Sequence, residues 1–364
     1  FYNLFIVYFT MQEKINEFFR SADADSLLLS TDGSNVNTNF YYFTEMSQKK
    51  QLSGYLILKK GNKPLLITDP REYGILKKYK NFKTALYRNE KELIALLDKS
   101  AGKKIGINYQ EASIAGYKRI KKILKRRFVD VSGTLNILRS TKTNREIKKI
   151  HEACKISEEL ISKVAKSIKE GQSEKEIAKK LDLQALSNSE GSSFPTIVAI
   201  AGNSSTPHHI AGNKKLRKGD ILLIDFGVVY DGYCSDLTRT FVFGRANVMQ
   251  KHVYAIVYKA QRAAMAAIKE GAKASDVFHI ANNIIKEAFG QELIHALGHG
   301  LGILVHDFPQ GLHKKADYPL QSNMILTVEP GHYGPFGVRI EDDIVVTAKG
   351  CKLLSDAPQQ LVEL

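Results

Sequence analysis

The chain has 364 residues, 43% of them hydrophobic and 25% charged, with a formal net charge of +15. That length accommodates two ordinary domains with separate cores, and that composition excludes a disordered or fibrous chain. No run approaches the roughly 18–20 apolar residues of a membrane span, and three scattered cysteines, Cys154, Cys234 and Cys351, exclude a disulfide framework and fit a reducing, cytoplasmic compartment.

The first ten residues, FYNLFIVYFT, are apolar but lack a basic start and a small-residue cleavage site, so they read as an extraneous leader or loose tail. Met11 opens an amphipathic helix, MQEKINEFFRSA. From there to about residue 138, strand-like runs (SLLLST, SGYLILKK, KPLLITD, KKIGIN, FVDVS) alternate with helices such as EKELIALLDK. This alternation predicts an α/β domain with a mixed sheet over residues 1–138. Much of the positive charge lies in KRIKKILKRR, residues 118–127, where Ile120, Ile123 and Leu124 mark a buried stripe. It reads as a solvated helix face, because no aromatic interleaving or nucleic-acid motif accompanies it.

Residues 139–364 read as a second domain. A helical pattern starts after Thr143 and runs to Gly171, and another starts at Ser173. The same programme returns later, with a helix from Tyr254 to Ile268, then Gly271, then a helix opened by Ser275. Ile168-Lys169-Glu170-Gly171 and Ile268-Lys269-Glu270-Gly271 are identical strings in matching contexts. An internal duplication follows, with a site expected between the two halves.

Four segments carry the chemistry: IDFGVVYDGYCSDLTRTF, HALGHGLGILVH, TVEPGHYG and GVRIEDDIVVT. In the first, two β-type runs, Ile221–Tyr230 and Tyr233–Phe243, flank Asp231-Gly232, a two-residue hairpin signal. Folding about that turn sets Asp225 opposite Thr238 and Asp236 diagonally across on the same face, about 7–8 Å away. A second hairpin-like unit, Met324–Glu329 and Gly337–Thr347, brings in Glu329 and Glu341. The acids repel one another unless cations intervene. With His299 they form a donor set suited to two divalent cations spaced about 3.5–4 Å apart. Histidines cluster here too: His208, His209, His295, His299 and His306. Gly298, Gly300 and Gly302 permit close backbone approach. Cys234 shares strand parity with Asp236 and reads as a small space-filling residue.

With SFPTIVA, NSSTPHH, IDFG, YDGYCSDLTRT, HALGHGLGILVHDFP, TVEPGHY and GVRIEDDIVVT, the chain resembles the pita-bread metallopeptidases, in their Xaa-Pro aminopeptidase and prolidase branch. YYFTEMS resembles a stretch of the creatinase-like N-terminal domain. The resemblance implies an α/β N-terminal domain followed by an α+β pita-bread domain with an internal pseudo-two-fold. It implies two divalent ions (manganese, cobalt, iron or zinc), Asp225 holding one, His299 and Glu329 the other, and Asp236 and Glu341 shared. Glu329 would be the proton-transfer residue, and His208 and His306 would hold the substrate carbonyl and stabilise the oxyanion. His295 and Arg339 would line the substrate site, whereas His209, His313 and His332 have no assigned role. Substrates would be peptides or dipeptides with proline second, the protein a homodimer, and neither membrane nor nucleic acid a partner. Two departures, VAIAGN before the asparagine and Asp307 where glutamate is common, fall on non-ligand positions.

A methionine aminopeptidase on the same fold shares the five ligands. Against it stand the N-terminal domain and Arg339, which strand parity sets on the face of Glu341. A non-catalytic pita-bread module binding protein or nucleic acid would fit the charge, but loss of function usually removes ligands, and all five are present.

Overall fold

The computed structural model describes residues 10–32, 36–355 and 360–364; apart from Thr10, the expected leader lies outside them. The chain separates into two compact units between Arg139 and Ser140. Among the described residues no helix is long and apolar enough to cross a membrane.

The first unit begins with α1 (Met11–Ser21), whose capping box pairs Thr10 with Glu13. There follow β1 (Ser26–Asp32), α2 (Thr38–Thr44), β2 (Ser53–Leu58), β3 (Leu65–Thr68), α3 (Pro70–Leu76) and β4 (Lys83–Leu86). Then come α4 (Glu90–Ser100), β5 (Lys104–Ile107), α5 (Ile114–Ile123), β6 (Arg127–Asp130) and α6 (Ser132–Ser140). The sheet order is β4-β3-β2-β1-β5-β6. β1 and β3 run antiparallel to β2, and the remaining pairs are parallel. The mixed sheet is the one the alternation predicts. The lysine-rich helix is shorter than expected: α5 ends at Ile123, Leu124 caps it from a buried position, and Arg127 already belongs to β6.

The second unit repeats one plan twice. Its first half holds α7 (Asn144–Ala165), α8 (Glu174–Asn188), β7 (Ile197–Ile200), β8 (Ile221–Phe226), β9 (Val229–Tyr230), β10 (Tyr233–Cys234) and β11 (Leu237–Val242). Its second half holds α9 (Val248–Ala267), α10 (Ala274–Phe289), β12 (Gly298–Gly300), β13 (Asp307–Leu312), β14 (Ile325–Val328), β15 (Gly331–Tyr333), β16 (Gly337–Arg339), β17 (Asp342–Thr347) and β18 (Gly350–Leu353), with β19 (Val362–Glu363) closing the chain. The two main sheets have the orders β19-β11-β8-β7 and β13-β12-β14-β17-β18. Each helix pair buries an apolar stripe on its own sheet. Ile161, Ile177, Leu181, Ile224 and Phe226 meet in one core, and Val257, Val277, Ala281, Leu326 and Ile344 in the other.

The duplicated strings form duplicated turns. Gly171 (φ +82°) donates its N–H to Leu216 O, and Gly271 (φ +79°) donates to Leu320 O, each at 2.8 Å. Leu216 and Leu320 return N–H groups to Gln172 and Ala272 respectively. Two helix limits differ from expectation. α7 stops at Ala165, before Gly171, because Ile168 packs on the core as a turn residue and prolongs the apolar pattern beyond the helix. α9 starts at Val248, capped by Asn247, before Tyr254; its first turn exposes Val248 and Met249 and so shows no amphipathic signal.

Candidate metal centre and active-site cleft

Asp231 and Gly232 take φ of +44° and +80°, the pair of positive values a type I′ hairpin needs. Tyr230 therefore pairs with Tyr233, and the register carries through to Asp225 opposite Thr238. The sequence predicts two continuous runs, but both are interrupted, the first at Gly227–Val228 and the second at Ser235–Asp236. A Cβ on Gly227 would sit 1.9 Å from Ser235 O, so the crossing requires glycine. In the second half, Val328 pairs with Asp342 and Gly331 with Arg339, so Glu329 and Glu341 occupy facing positions between those pairs. Asp236 immediately precedes β11, which pairs with β8, and Glu341 immediately precedes β17, which pairs with β14. The duplication thus supplies matching acids from both halves.

His299 stands in the middle of β12. A Cβ on Gly298 would lie 1.9 Å from Thr327 O, and one on Gly300 2.4 Å from Pro309 O, so these glycines let β12 fit between its neighbours. Its Nε2 is 3.5 Å from Asp236 Oδ2 and 3.5 Å from Glu329 Oε1. Donor atoms of Asp236, His299 and Glu341 all lie within 4.8 Å of one another. Oδ1 of Asp225 and Oδ1 of Asp236 are buried with no protein hydrogen-bond partner, an arrangement that costs free energy unless a cation completes it. Burial drives the Asp236 carboxyl well above its usual range, and the charges of Glu341 and Asp225 add to this. Burial also raises Glu341, followed by the charge of Glu329, and raises Asp225 against the opposing pull of Arg339. A divalent cation removes that conflict, so the residues present fit a metal.

A hydrogen-bonded frame holds these acids. Arg339 Nη2 donates to Asp225 Oδ2 at 2.6 Å, Nε to Thr238 Oγ1 at 2.9 Å and Nη1 to the Tyr333 hydroxyl at 3.1 Å. Thr238 Oγ1 donates in turn to Glu341 Oε2 at 2.6 Å. The backbone N–H of Asp236 donates to Asp343 Oδ2 at 2.9 Å, and the Cys154 thiol donates to the same oxygen. Thr238, Tyr333 and Asp343 were not singled out from sequence as site residues. Strand parity carried the signal: Asp343 shares a face with Glu341, and Tyr333 shares one with Arg339 across the β15–β16 hairpin.

The acids open into a cleft of about 1130 Å³, lined also by His208, His295, His299, His306 and Arg339. His306 packs edge-on to His299 with ring centroids 4.3 Å apart. Burial and the neighbouring His299 lower its pKa, leaving a neutral imidazole. His295 lines the cleft with both nitrogens engaged. Nδ1 lies 2.7 Å from Ala296 O, which can only accept, so Nε2 accepts from the Tyr333 hydroxyl at 2.8 Å. Three histidines without an assigned role have structural partners. His209 meets the buried Glu174 at 2.9 Å, His332 stacks on Phe289, and His313 accepts from the Lys315 N–H. Cys234 is buried, its thiol donating to Ile303 O. Asp307 accepts from the N–H groups of Ile303 and Phe308, which shapes the loop before β13.

A duplicated α+β unit whose halves each contribute buried acids to one centre is the architecture of a pita-bread metallopeptidase. Residues 148–348 match Metallopeptidase family M24, and residues 12–141 match the Creatinase/Prolidase N-terminal domain. The chain belongs to metallopeptidase family M24. It is 34% identical over 358 residues to an Xaa-Pro dipeptidase of Pyrococcus horikoshii, covering 96% of this chain and 98% of that one. Among solved structures it is similar to an X-Pro aminopeptidase from Thermotoga maritima (TM-score 0.89, 31% identity, 95% and 99% of the two chains). It is also similar to a prolidase from Pyrococcus horikoshii (TM-score 0.85, 32% identity, 96% and 98%). The family is one of divalent-metal enzymes, and these matches do not favour a methionine aminopeptidase or a non-catalytic module.

Proposed function

We propose that this chain is a dinuclear metal-dependent exopeptidase that hydrolyses the bond between an N-terminal residue and a following proline. The observation that carries the proposal is the convergence of Asp236, His299 and Glu341 beside the two unpartnered carboxylate oxygens of Asp225 and Asp236. Asp225 would hold one cation, His299 and Glu329 the other, and Asp236 and Glu341 both. Manganese, cobalt, iron and zinc all accept such a set. When bound, the ions supply Lewis acidity and make a water nucleophilic near neutral pH.

The remaining work falls to side chains. Glu329, whose Oε1 accepts from Thr327 Oγ1 at 3.2 Å, keeps further lone pairs to take the proton of the attacking water and pass it to the departing amine. His306, a neutral donor, and His208 across the cleft donate to the developing oxyanion. Arg339 fixes Asp225 and Thr238 and, through Tyr333, orients His295. The wall formed by His295, His208 and Arg339 asks for no N–H from the residue after the scissile bond, so a tertiary amide with a fixed ring can be seated there. Residues 1–138 are assigned as a creatinase-like domain and residues 139–364 as the catalytic domain of a cytoplasmic homodimer. Hydrolysis of a matched set (Xaa-Pro, Xaa-Pro-Yaa, Met-Ala-Xaa and Xaa-Ala) with each metal tests the assignment. Cleavage before proline with a free N-terminal amine is expected, and faster turnover of Met-Ala-Xaa would overturn it.

A further inference from the structure

One wall of the cleft is the outer side of α8, where Lys175, Lys179, Leu183 and Leu186 recur at helical spacing. Leu183 and Leu186 are 53% and 68% exposed, and Ile210, which lines the same cleft, is 87% exposed. The segment carrying Ile210 is tied to the start of α8: Gly212 N–H donates to Glu174 Oε2, and Lys175 N–H donates to Gly212 O. Apolar side chains exposed singly are ordinary, but three lining one concavity that runs on from buried acids mark a binding surface. The volume points the same way. Drug-sized ligands fill pockets of roughly 300–1,000 Å³, a dipeptide is smaller than most of them, and this cleft measures about 1130 Å³.

A substrate cleaved between its N-terminal residue and a following proline has one residue before the scissile bond. Whatever extends from the acidic centre to the open mouth therefore follows that bond. Lys175 and Lys179 are exposed at this mouth, and their charge complements the free carboxylate that ends a peptide. Asp182, the acid on the same face, is held by Ser192 Oγ at 2.8 Å and Thr196 Oγ1 at 2.6 Å.

We propose that this arm of the cleft is a subsite for the residues after the proline. The preferred substrates are then peptides of four or more residues, with apolar side chains after the proline and a free carboxyl terminus. The inference rests on the exopeptidase reading above, and two readouts keep the two separable. Ala-Pro, Ala-Pro-Leu-Leu and the amide of the latter are compared by hydrolysis with metal-loaded protein and by calorimetric binding to chelated protein. For the tetrapeptide over the dipeptide, kcat/KM and affinity are each expected to be about tenfold higher, the scale of one or two apolar groups in a pocket. In the Leu183→Asp/Leu186→Asp double variant that ratio should fall to about one. Amidation should weaken binding about threefold at low salt and not at high salt.

A ratio of one in the natural protein, a ratio that survives the double variant, or equal binding of acid and amide at low salt would overturn the proposal. So would conversion of a dimer to a monomer by the double variant, which would give this face to a second copy of the chain. If no Xaa-Pro peptide is cleaved but the tetrapeptide still binds tenfold tighter through Leu183 and Leu186, the subsite stands and the exopeptidase reading fails.

Discussion

Arg339 Nη2 lies 2.6 Å from Asp225 Oδ2, and both side chains are buried. The guanidinium is more than a counter-charge, because its other nitrogens reach Thr238 and Tyr333, and Thr238 holds Glu341. One planar cation therefore sets the positions of acids contributed by both halves of the duplicated unit.

Replacing it should be costly. Arg339→Leu leaves Asp225 as a buried charge without its partner, a change that typically costs about 3–5 kcal/mol. Chelated Arg339→Leu protein should melt well below the natural protein, and the metal-loaded variant should lose turnover on Xaa-Pro substrates. Arg339→Lys should not restore it, since an ammonium cannot reach three partners in fixed directions. Thermal melting with steady-state kinetics checks both; full activity in Arg339→Lys would contradict the positioning role.

The histidines should separate by phenotype. His306→Ala is expected to retain metal and to lower kcat by about a hundredfold, as loss of one oxyanion donor does. His299→Ala should lose metal directly. Asp236→Asn and Glu341→Gln should lower occupancy of both ions, since each is proposed as shared. Metal analysis beside single-turnover rates distinguishes these outcomes, and equal metal loss in His306→Ala and His299→Ala would contradict the division.

Much of this centre was legible in the sequence because its geometry is local. Asp231-Gly232 fixes a two-residue turn, and a period of two then carries register back to Asp225 and Thr238. The contacts that remained hidden are those made by distant packing. Cys154 on α7 meets Asp343 across 189 residues of chain. Arg239 meets Asp342 only because the halves are assembled, and Gln261 on α9 donates to the same carboxylate from 81 residues away within the second half. Apolar periodicity also misplaces helix ends wherever a residue beyond the helix packs partly buried on the core, as Ile168 does, or a first helical turn is exposed, as at Val248.

β12 tolerates no side chain at Gly298, where an added Cβ would meet Thr327 O at 1.9 Å. Gly298→Ala should therefore push His299 out of line, lowering metal retention along with the melting temperature. Gly350→Ala, which meets nothing within 4 Å, serves as the neutral comparison. Metal retention in Gly298→Ala equal to that in Gly350→Ala would show that β12 has room to move.

Stability without metal should depend on pH in a defined direction. Burial pushes the Asp343 carboxyl from 3.8 up to about 8, and it raises Asp236 and Glu341 as well. A raised carboxyl keeps its proton in the folded state after the unfolded chain has lost it. The associated stability is complete below the unfolded value and is lost as pH rises through the folded one. Chelated protein should accordingly melt at lower temperature as pH increases from about 4 to about 8. Asp343→Asn should flatten the trend, and bound divalent metal should oppose it by favouring the ionised acids. A melting temperature that climbs with pH across this window in chelated protein would contradict the sign.

If Asp225, Asp236, His299, Glu329 and Glu341 hold two ions that hydrolysis requires, activity must follow metal occupancy. Titrating manganese, cobalt, iron or zinc into exhaustively chelated protein, while recording bound metal per chain and the rate of Xaa-Pro cleavage, measures both. The expected result is no cleavage without metal and recovery of activity as occupancy approaches two ions per chain, with Asp236→Asn and Glu341→Gln failing to fill either site. Full activity in metal-free protein, or undiminished occupancy in those two variants, would contradict it.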